Sequence, residues 1–127
     1  MPLFTWSDKY SIGNFEIDNQ HKKLFDILNR LFDICVGKNE VDTVEAVMED
    51  LVSYTDYHFR FEEQYMRDVE YNDIERHMSL HKYFSARLLD IKEREKNDNN
   101  DLCRELIYFL GNWLKHHVVE DDKRISL

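Results

Sequence analysis

The chain has 127 residues, of which 43% are hydrophobic, and a formal net charge of −9 at pH 7. This length fits one domain with a proper core but is short for two. The acidic balance argues against a nucleic acid or an anionic membrane as partner, because both bind basic surfaces. No run approaches the roughly 20 apolar residues that span a bilayer. Residues 1–6 lack the basic and apolar regions of a signal peptide, so we expect a cytoplasmic protein.

Turn-forming residues are scarce, which favours long helices. The chain has one proline, Pro2, and three glycines, at positions 13, 37 and 111. Apolar residues recur at spacings of three and four in four stretches, which predict helices at about 19–36, 41–66, 73–95 and 101–118. Residues 1–18 are expected to form an irregular arm. The sequence therefore predicts an all-α protein, a single domain over 1–127 built as an up-down-up-down antiparallel four-helix bundle.

The histidines coincide with the apolar faces of these helices. Because successive helices alternate in direction, five of the six histidines and one glutamate fall at the same end of the bundle: His21, His58, Glu62, His77, His81 and His117. His58 and Glu62 are four residues apart, as are His77 and His81, so each pair shares a helix face. His116 lies about 100° around its helix from His117 and is predicted to be a surface residue.

Metal ions would explain this clustering. A single inward histidine is more often a hydrogen-bonded core residue than a ligand. Five in one layer with a buried carboxylate, however, would need many other hydrogen-bond partners. Imidazoles and carboxylates without thiolate suit iron, zinc, copper or nickel, and five imidazoles exceed the needs of one tetrahedral zinc. Two bridged ions, one with three histidines and one with two, would leave an open position on the second ion, as a diatomic ligand requires.

The chain resembles bacterial members of the hemerythrin family over nearly its whole length. The resemblance rests on an ordered set of pieces: Trp6, Ile17-Asp18-Asn19-Gln20-His21, His58-Phe59-Arg60-Phe61-Glu62-Glu63, His77-Met78-Ser79-Leu80-His81, and Trp113-Leu114-Lys115-His116-His117 followed by Asp122. It implies two non-heme iron ions with an oxo or hydroxo bridge. His77, His81 and His117 would hold one iron, and His21 and His58 would hold the other.

The resemblance also implies that Glu62 and Asp122 bridge the two irons. The position of Asp122 comes from the family pattern alone. A regular helix would instead put Asp121, four residues after His117, on the face of that ligand. Spacing by itself leaves Glu120, Asp121 and Asp122 as open alternatives. If Asp122 is the ligand, the helix must end or distort after His117.

The function that the resemblance implies is reversible dioxygen binding, by a carrier, store or scavenger and not an enzyme. An apolar oxygen pocket is expected at residues that could also be ordinary core: Leu24, Phe59, Trp113, Leu114 and Val119. The alternatives are a di-iron oxidase or peroxidase, an oxygen or redox sensor, and an iron-storage protein. Oxidase-type bundles usually carry paired Glu-x-x-His motifs, which fit no ligand pair here. An unidentified electron donor or oxygen-consuming enzyme would be a partner besides dioxygen.

Two positions depart from the family pattern. Ile125 stands where a tyrosine is frequent three residues after the bridging aspartate, so the support of Asp122 is expected to differ. His116 replaces a commoner asparagine and places a titratable group beside a ligand, which is expected to affect the pH dependence of oxidation more than binding.

The two cysteines, Cys35 and Cys103, are too few and too far apart for a cysteine zinc site or a disulfide framework. Both fall on apolar stripes, so we predict buried free thiols that pack as small hydrophobes. Cys35 follows His21 by 14 residues, and Cys103 precedes His117 by 14. In antiparallel neighbouring helices both would lie roughly 21 Å from the histidine layer. We therefore expect the thiols to be close together, with Cα atoms within about 10 Å, and no disulfide in a reducing cytoplasm.

Overall fold

A computed structural model describes residues 5–37, 43–95 and 100–118, with side chains described for all of these except 94, 95 and 100–102. Within these ranges lie four α-helices: α1 (Phe15–Cys35), α2 (Val44–Asp68), α3 (Ile74–Glu95) and α4 (Asn100–His116). A short 3₁₀ turn, Asp8–Tyr10, precedes them. The helices pack in the ring order α1, α2, α3, α4, with α4 closing against α1. This arrangement confirms the predicted all-α four-helix bundle. None of the described helices combines the length and apolar character needed to cross a membrane.

Helix α1 begins earlier than the periodicity indicated, at residue 15 and not near 19. Asn14 caps it, because its side-chain oxygen accepts a hydrogen bond from the Ile17 N–H at 3.0 Å. Asp18 then reaches back and accepts from the Ile12 N–H at 3.0 Å and from the Ser11 hydroxyl. These polar contacts fix the end of the arm. An apolar pattern cannot detect them, which is why it placed the helix start too late.

A left-handed glycine follows α1, and a polar side chain caps the start of α2. Gly37 follows α1 with a φ of +79°, a conformation that side chains disfavour and that glycine commonly adopts at the end of a helix. Thr43 caps α2 by accepting a hydrogen bond from the Ala46 N–H at 3.1 Å.

At the other end of the chain, α4 continues into a π-helical turn at residues 117 and 118.

All four helices contribute leucines, isoleucines or other large apolar residues to one continuous core. Representative members are fully or almost fully buried: Leu28, Leu31, Met48, Leu51, Leu88, Ile91, Leu106 and Leu110. The arm closes over α1, where the rings of Trp6 and Tyr10 lie 5.7 Å and 5.5 Å from that of Phe25. The core fills the bundle on one side of the histidine layer and so fixes the helix register there.

Cys35 and Cys103 form a disulfide that ties the end of α1 to the beginning of α4. Their Cα atoms are 5.7 Å apart, which confirms the expected proximity of the two residues. The prediction of buried free thiols was wrong, since both residues are bonded and half-buried. The physical reason is helix register: equal distances from the histidine layer on adjacent antiparallel helices bring the Cα atoms within the range that a disulfide spans.

The core predicts a position-dependent loss of stability within α4. Leu106 is fully buried, so Leu106→Ala should lower the free energy of unfolding by about 2–5 kcal/mol through lost burial and a residual cavity. The matched control is Tyr108→Ala in the same helix, where the side chain is 75% exposed and the change should stay within about 0.5 kcal/mol. Urea denaturation followed by circular dichroism measures both. Equal losses in the two variants would contradict this core.

Candidate metal centre

Each of the four helices, or the residue directly after it, places at least one potential metal ligand in a single layer. His21 comes from the second turn of α1, His58 and Glu62 from the later half of α2, and His77 and His81 from the start of α3. His117 follows the last residue of α4. All six side chains have relative exposures of 2% or less: His21, His58, Glu62, His77, His81 and His117. The structure thus brings together every described member of the predicted ligand set.

The Glu62 carboxylate is the centre of this layer. Its Oε1 atom lies 2.7 Å from His77 Nε2 and 2.9 Å from His81 Nε2, and 3.4 Å from His117 Nε2. Its Oε2 atom lies on the other side, 3.3 Å from His58 Nε2 and 3.8 Å from His21 Nε2. The two oxygens therefore face different histidine groups, one of three residues and one of two.

The electrostatics of this arrangement favour a charged carboxylate. Burial by itself would raise the pKa of Glu62. The charge of His58, together with hydrogen bonds from His117, His21 and His58, outweighs burial and holds the pKa of Glu62 well below its usual value. The surrounding histidines therefore favour the carboxylate anion over the neutral acid, and metal cations held by the same groups would have the same effect.

Two ligand candidates are oriented by side chains in a surrounding shell. The amide oxygen of Gln20, itself 5% exposed, lies 2.7 Å from Nδ1 of His58, and Glu63 Oε2 lies 2.8 Å from Nδ1 of His81. An amide oxygen can only accept, so His58 donates from Nδ1. The Nε2 atoms of both histidines point to Glu62. Outer partners that fix the ring and its tautomer in this way are typical of metal-bound histidines.

Aromatic rings hold two more imidazoles in place. The Phe59 ring stacks on His81, with centroids 4.0 Å apart and planes inclined by 9°. The Trp113 ring stacks on His117 at 4.4 Å and 16°. Each aromatic residue belongs to a helix of the layer, so the same packing that closes the core also limits rotation of the imidazoles.

A small apolar cavity lies one helical turn from the layer, on the core side. It is lined by residues of all four helices: Leu24, Leu28, Leu51, Thr55, Phe84, Leu110, Trp113 and Leu114. Three of the predicted pocket residues, Leu24, Trp113 and Leu114, are among them. Phe59 does not line this cavity, although it contacts the layer through His81. Val119 lies outside the described residues.

The residues of the layer could hold metal. Among the described residues there are two groups of potential ligand atoms, each with all its atoms within 4.8 Å of one another. One contains Glu62, His77, His81 and His117, and the other contains His21, His58 and Glu62. Glu62 alone belongs to both. Burying five imidazoles and a carboxylate is costly unless each is paired or bound to a metal, so the donor set fits such a group.

Of the remaining predicted residues, His116 lies within the described part of the chain. It is exposed, as its helical position indicated. Asp122 and Ile125 lie outside the described residues, as do Glu120 and Asp121.

Sequence reasoning missed the roles of Gln20 and Glu63. The available signal was position alone: Gln20 directly precedes one ligand candidate, and Glu63 directly follows another. Both positions lie three or four residues from buried apolar residues, but neither spacing nor adjacency reveals which ring nitrogen a side chain on another helix will contact. Three-dimensional packing was needed to pair α1 with His58 and α2 with His81.

Comparison with known proteins agrees with this geometry. Residues 13–126 match the family model described as "Hemerythrin HHE cation binding domain". The chain belongs to the hemerythrin family. It is 30% identical to the bacteriohemerythrin of Clostridium acetobutylicum over 126 residues, which cover 95% of this chain and 97% of the relative. The bacteriohemerythrin of Pseudomonas aeruginosa is 36% identical over 122 residues, covering 96% of this chain and 78% of that protein.

Solved structures of the family have the same fold. A wild-type hemerythrin superposes with a TM-score of 0.81 at 27% identity, covering 95% of this chain and 93% of that one. A single-substitution hemerythrin variant superposes with a TM-score of 0.83 at 26% identity over the full length of both chains. The family described by these matches is cation-binding, and the buried cluster around Glu62 is where this hemerythrin can hold metal.

Metal binding should stabilise the protein through the layer and not through neighbouring histidines. With ferrous ion under argon at about 1,000 times its Kd, linkage adds about 4 kcal/mol, which should raise Tm by on the order of 10 °C. His117→Ala should lose most of this rise, while His116→Ala should keep it because that side chain is exposed. Differential scanning calorimetry with and without metal measures the effect. A rise that survives His117→Ala unchanged would contradict the assignment.

Proposed function

We propose that this chain binds dioxygen reversibly at a non-heme di-iron centre and acts as an oxygen carrier, store or scavenger, not as an enzyme. The observation that carries the proposal is the division of the Glu62 carboxylate between two histidine groups of unequal size. A carboxylate with one oxygen toward each group is suited to bridge two ions. The bacteriohemerythrin relatives support the choice of iron and dioxygen.

In this proposal His77, His81 and His117 hold one iron, and His21 and His58 hold the other. Glu62 and Asp122 would bridge them, together with an oxo or hydroxo group. The group with two histidines offers fewer protein ligands, so an iron held there would have a position left for dioxygen. When bound, the irons supply the electrons that dioxygen binding needs.

The local backbone supports Asp122 as the second bridging residue. In a regular α-helix, residues four apart share a face, whereas a π-helical turn hydrogen-bonds five residues apart. The π-helical turn of the described chain begins at His117. A distortion there is what the family assignment requires, because Asp122 follows His117 by five positions.

In this proposal, the protein itself excludes water and proton donors from the open position. Leu24 and Leu114, both almost fully buried, lie one turn from His21 and His117 and separate the layer from water. Thr55 is the one polar residue among the described residues of the cavity. Its hydroxyl lies 2.8 Å from the Leu51 carbonyl and 3.1 Å from that of Val52, so its proton is directed to the backbone. An apolar wall without a free acid favours release of dioxygen over its cleavage.

The decisive test is repeated oxygenation of iron-loaded protein. We expect two irons per chain and a visible absorption spectrum that bleaches on deoxygenation under argon and returns when oxygen is readmitted, over several cycles. An iron-loaded His116→Ala variant serves as the control that should cycle normally. Catalytic consumption of oxygen with product formation would instead identify an oxidase or peroxidase. Irreversible conversion to a ferric spectrum would favour a sensor, and iron uptake without an oxygen response would favour storage.

The apolar wall predicts how long the oxygenated form lasts. Leu24→Asn introduces an amide beside the open position and should speed autoxidation by about tenfold, equivalent to roughly 1.4 kcal/mol in the barrier. Leu31→Asn is the matched control, since Leu31 is fully buried on the same helix two turns farther from the layer. Decay of the visible spectrum in air gives both rates. Equal acceleration in the two variants would mean that general loosening, and not local polarity, controls autoxidation.

A further inference from the structure

The disulfide between Cys35 and Cys103 occupies the end of the bundle away from the histidine layer. Cys35 is the last residue of α1, and Cys103 lies in the first turn of α4. Their bond closes a sequence separation of 68 residues. Both cysteines are half-buried, not sealed in the core. Both residues therefore keep part of their surface exposed to solvent, as attack by a thiol from solution requires.

We propose that the Cys35–Cys103 disulfide is a thiol–disulfide exchange site whose substrates are thiols, with Cys35 as the attacked sulfur and Cys103 as the leaving group. This activity is separate from dioxygen binding. The site would let the thiol redox state of the surroundings set whether α1 and α4 are covalently joined.

The direction of attack follows from the helix ends. The N-terminal turn of a helix carries partial positive charge, and the C-terminal turn carries partial negative charge. Cys103 in the first turn of α4 is therefore stabilised as a thiolate, whereas Cys35 at the end of α1 is not. Exchange is faster when the leaving sulfur is the more stable thiolate. A thiol should consequently bond to Cys35 and release Cys103.

The reaction balances with thiols as the only co-reactant. An incoming thiolate forms a sulfur–sulfur bond with Cys35 as the Cys35–Cys103 bond breaks, and Cys103 leaves with the electron pair. A second thiolate attacks the external sulfur of the mixed disulfide and releases Cys35. Two external thiols are oxidised to one disulfide, and the protein disulfide is reduced to two thiols.

Opening the bond should lower the thermal stability of the bundle. The two helices that it joins are also those that carry Leu24 and Leu114, which line the cavity beside the layer. Without the covalent link, the unfolded chain regains the freedom that a loop of this length removes. The reduced protein should therefore unfold at a lower temperature, while its folded helices keep their packing.

The first test traps the exchange intermediate. The full chain, in metal-loaded and metal-free forms alike, is incubated under argon with reduced glutathione, quenched with iodoacetamide and mapped by peptide mass spectrometry. We expect the main intermediate to carry glutathione on Cys35 and carbamidomethyl on Cys103. Glutathione mainly on Cys103 would overturn the direction of attack, and a disulfide that stays intact in the folded protein would overturn exchange itself. Neither outcome depends on dioxygen binding.

The second test measures what the link does for the fold. Reduction should lower Tm by on the order of 10 °C. The double variant Cys35→Ser, Cys103→Ser should melt with the reduced wild type and should not respond to reductant. Each single variant should behave in the same way once any intermolecular disulfide has been reduced. If oxidised and reduced wild type melt together, the proposed control of α1 and α4 by thiols is wrong.

Discussion

The rest of the structure depends on a single buried carboxylate, Glu62. A fully buried anion is costly unless positive or hydrogen-bonding groups surround it on every side. Five imidazoles do so here, and they reach it only because four helices converge at one level. A shift of one helix by a single residue would turn its histidine by about 100° and remove it from the layer. Helix register is therefore the main requirement of this fold.

The long apolar core explains how that register is maintained. Leucine and isoleucine side chains interlock along the bundle away from the layer, where a one-residue slip would expose several of them at once. Packing energy is spread over many contacts, whereas the chemistry is confined to one end. This separation lets the histidine layer carry a concentration of polar groups that would destabilise a smaller core. The stacked Phe59 and Trp113 belong to both parts, since each joins the core to an imidazole.

Helical periodicity was sufficient to predict the fold class and the convergence of His21, His58, Glu62, His77, His81 and His117. These residues follow the same three- and four-residue spacing as an apolar stripe, and spacing along a helix determines which face a side chain occupies. Features set by contacts between helices were not accessible in this way. Gln20 and Glu63 meet histidines on other helices, and the start of α1 depends on Asn14 and Asp18 side chains that no apolar pattern records. Spacing alone left the proposed second bridging residue open, because a regular helix could not choose among neighbouring carboxylates; Asp122 came from the family resemblance.

The cysteine pair also shows what helical periodicity can and cannot predict. Their equal distance from the histidine layer was enough to predict that they meet, because height along antiparallel helices is a one-dimensional quantity. Whether they bond is a question of compartment as well as of geometry, and the expectation of free thiols rested on their apolar helix positions and on a reducing compartment. Once α1 and α4 are adjacent and in register, the Cα separation of 5.7 Å is already suitable for a bond. The register that aligns His21 with His117 at one end therefore also aligns Cys35 with Cys103 at the other, so the two ends of the bundle obey one geometric constraint.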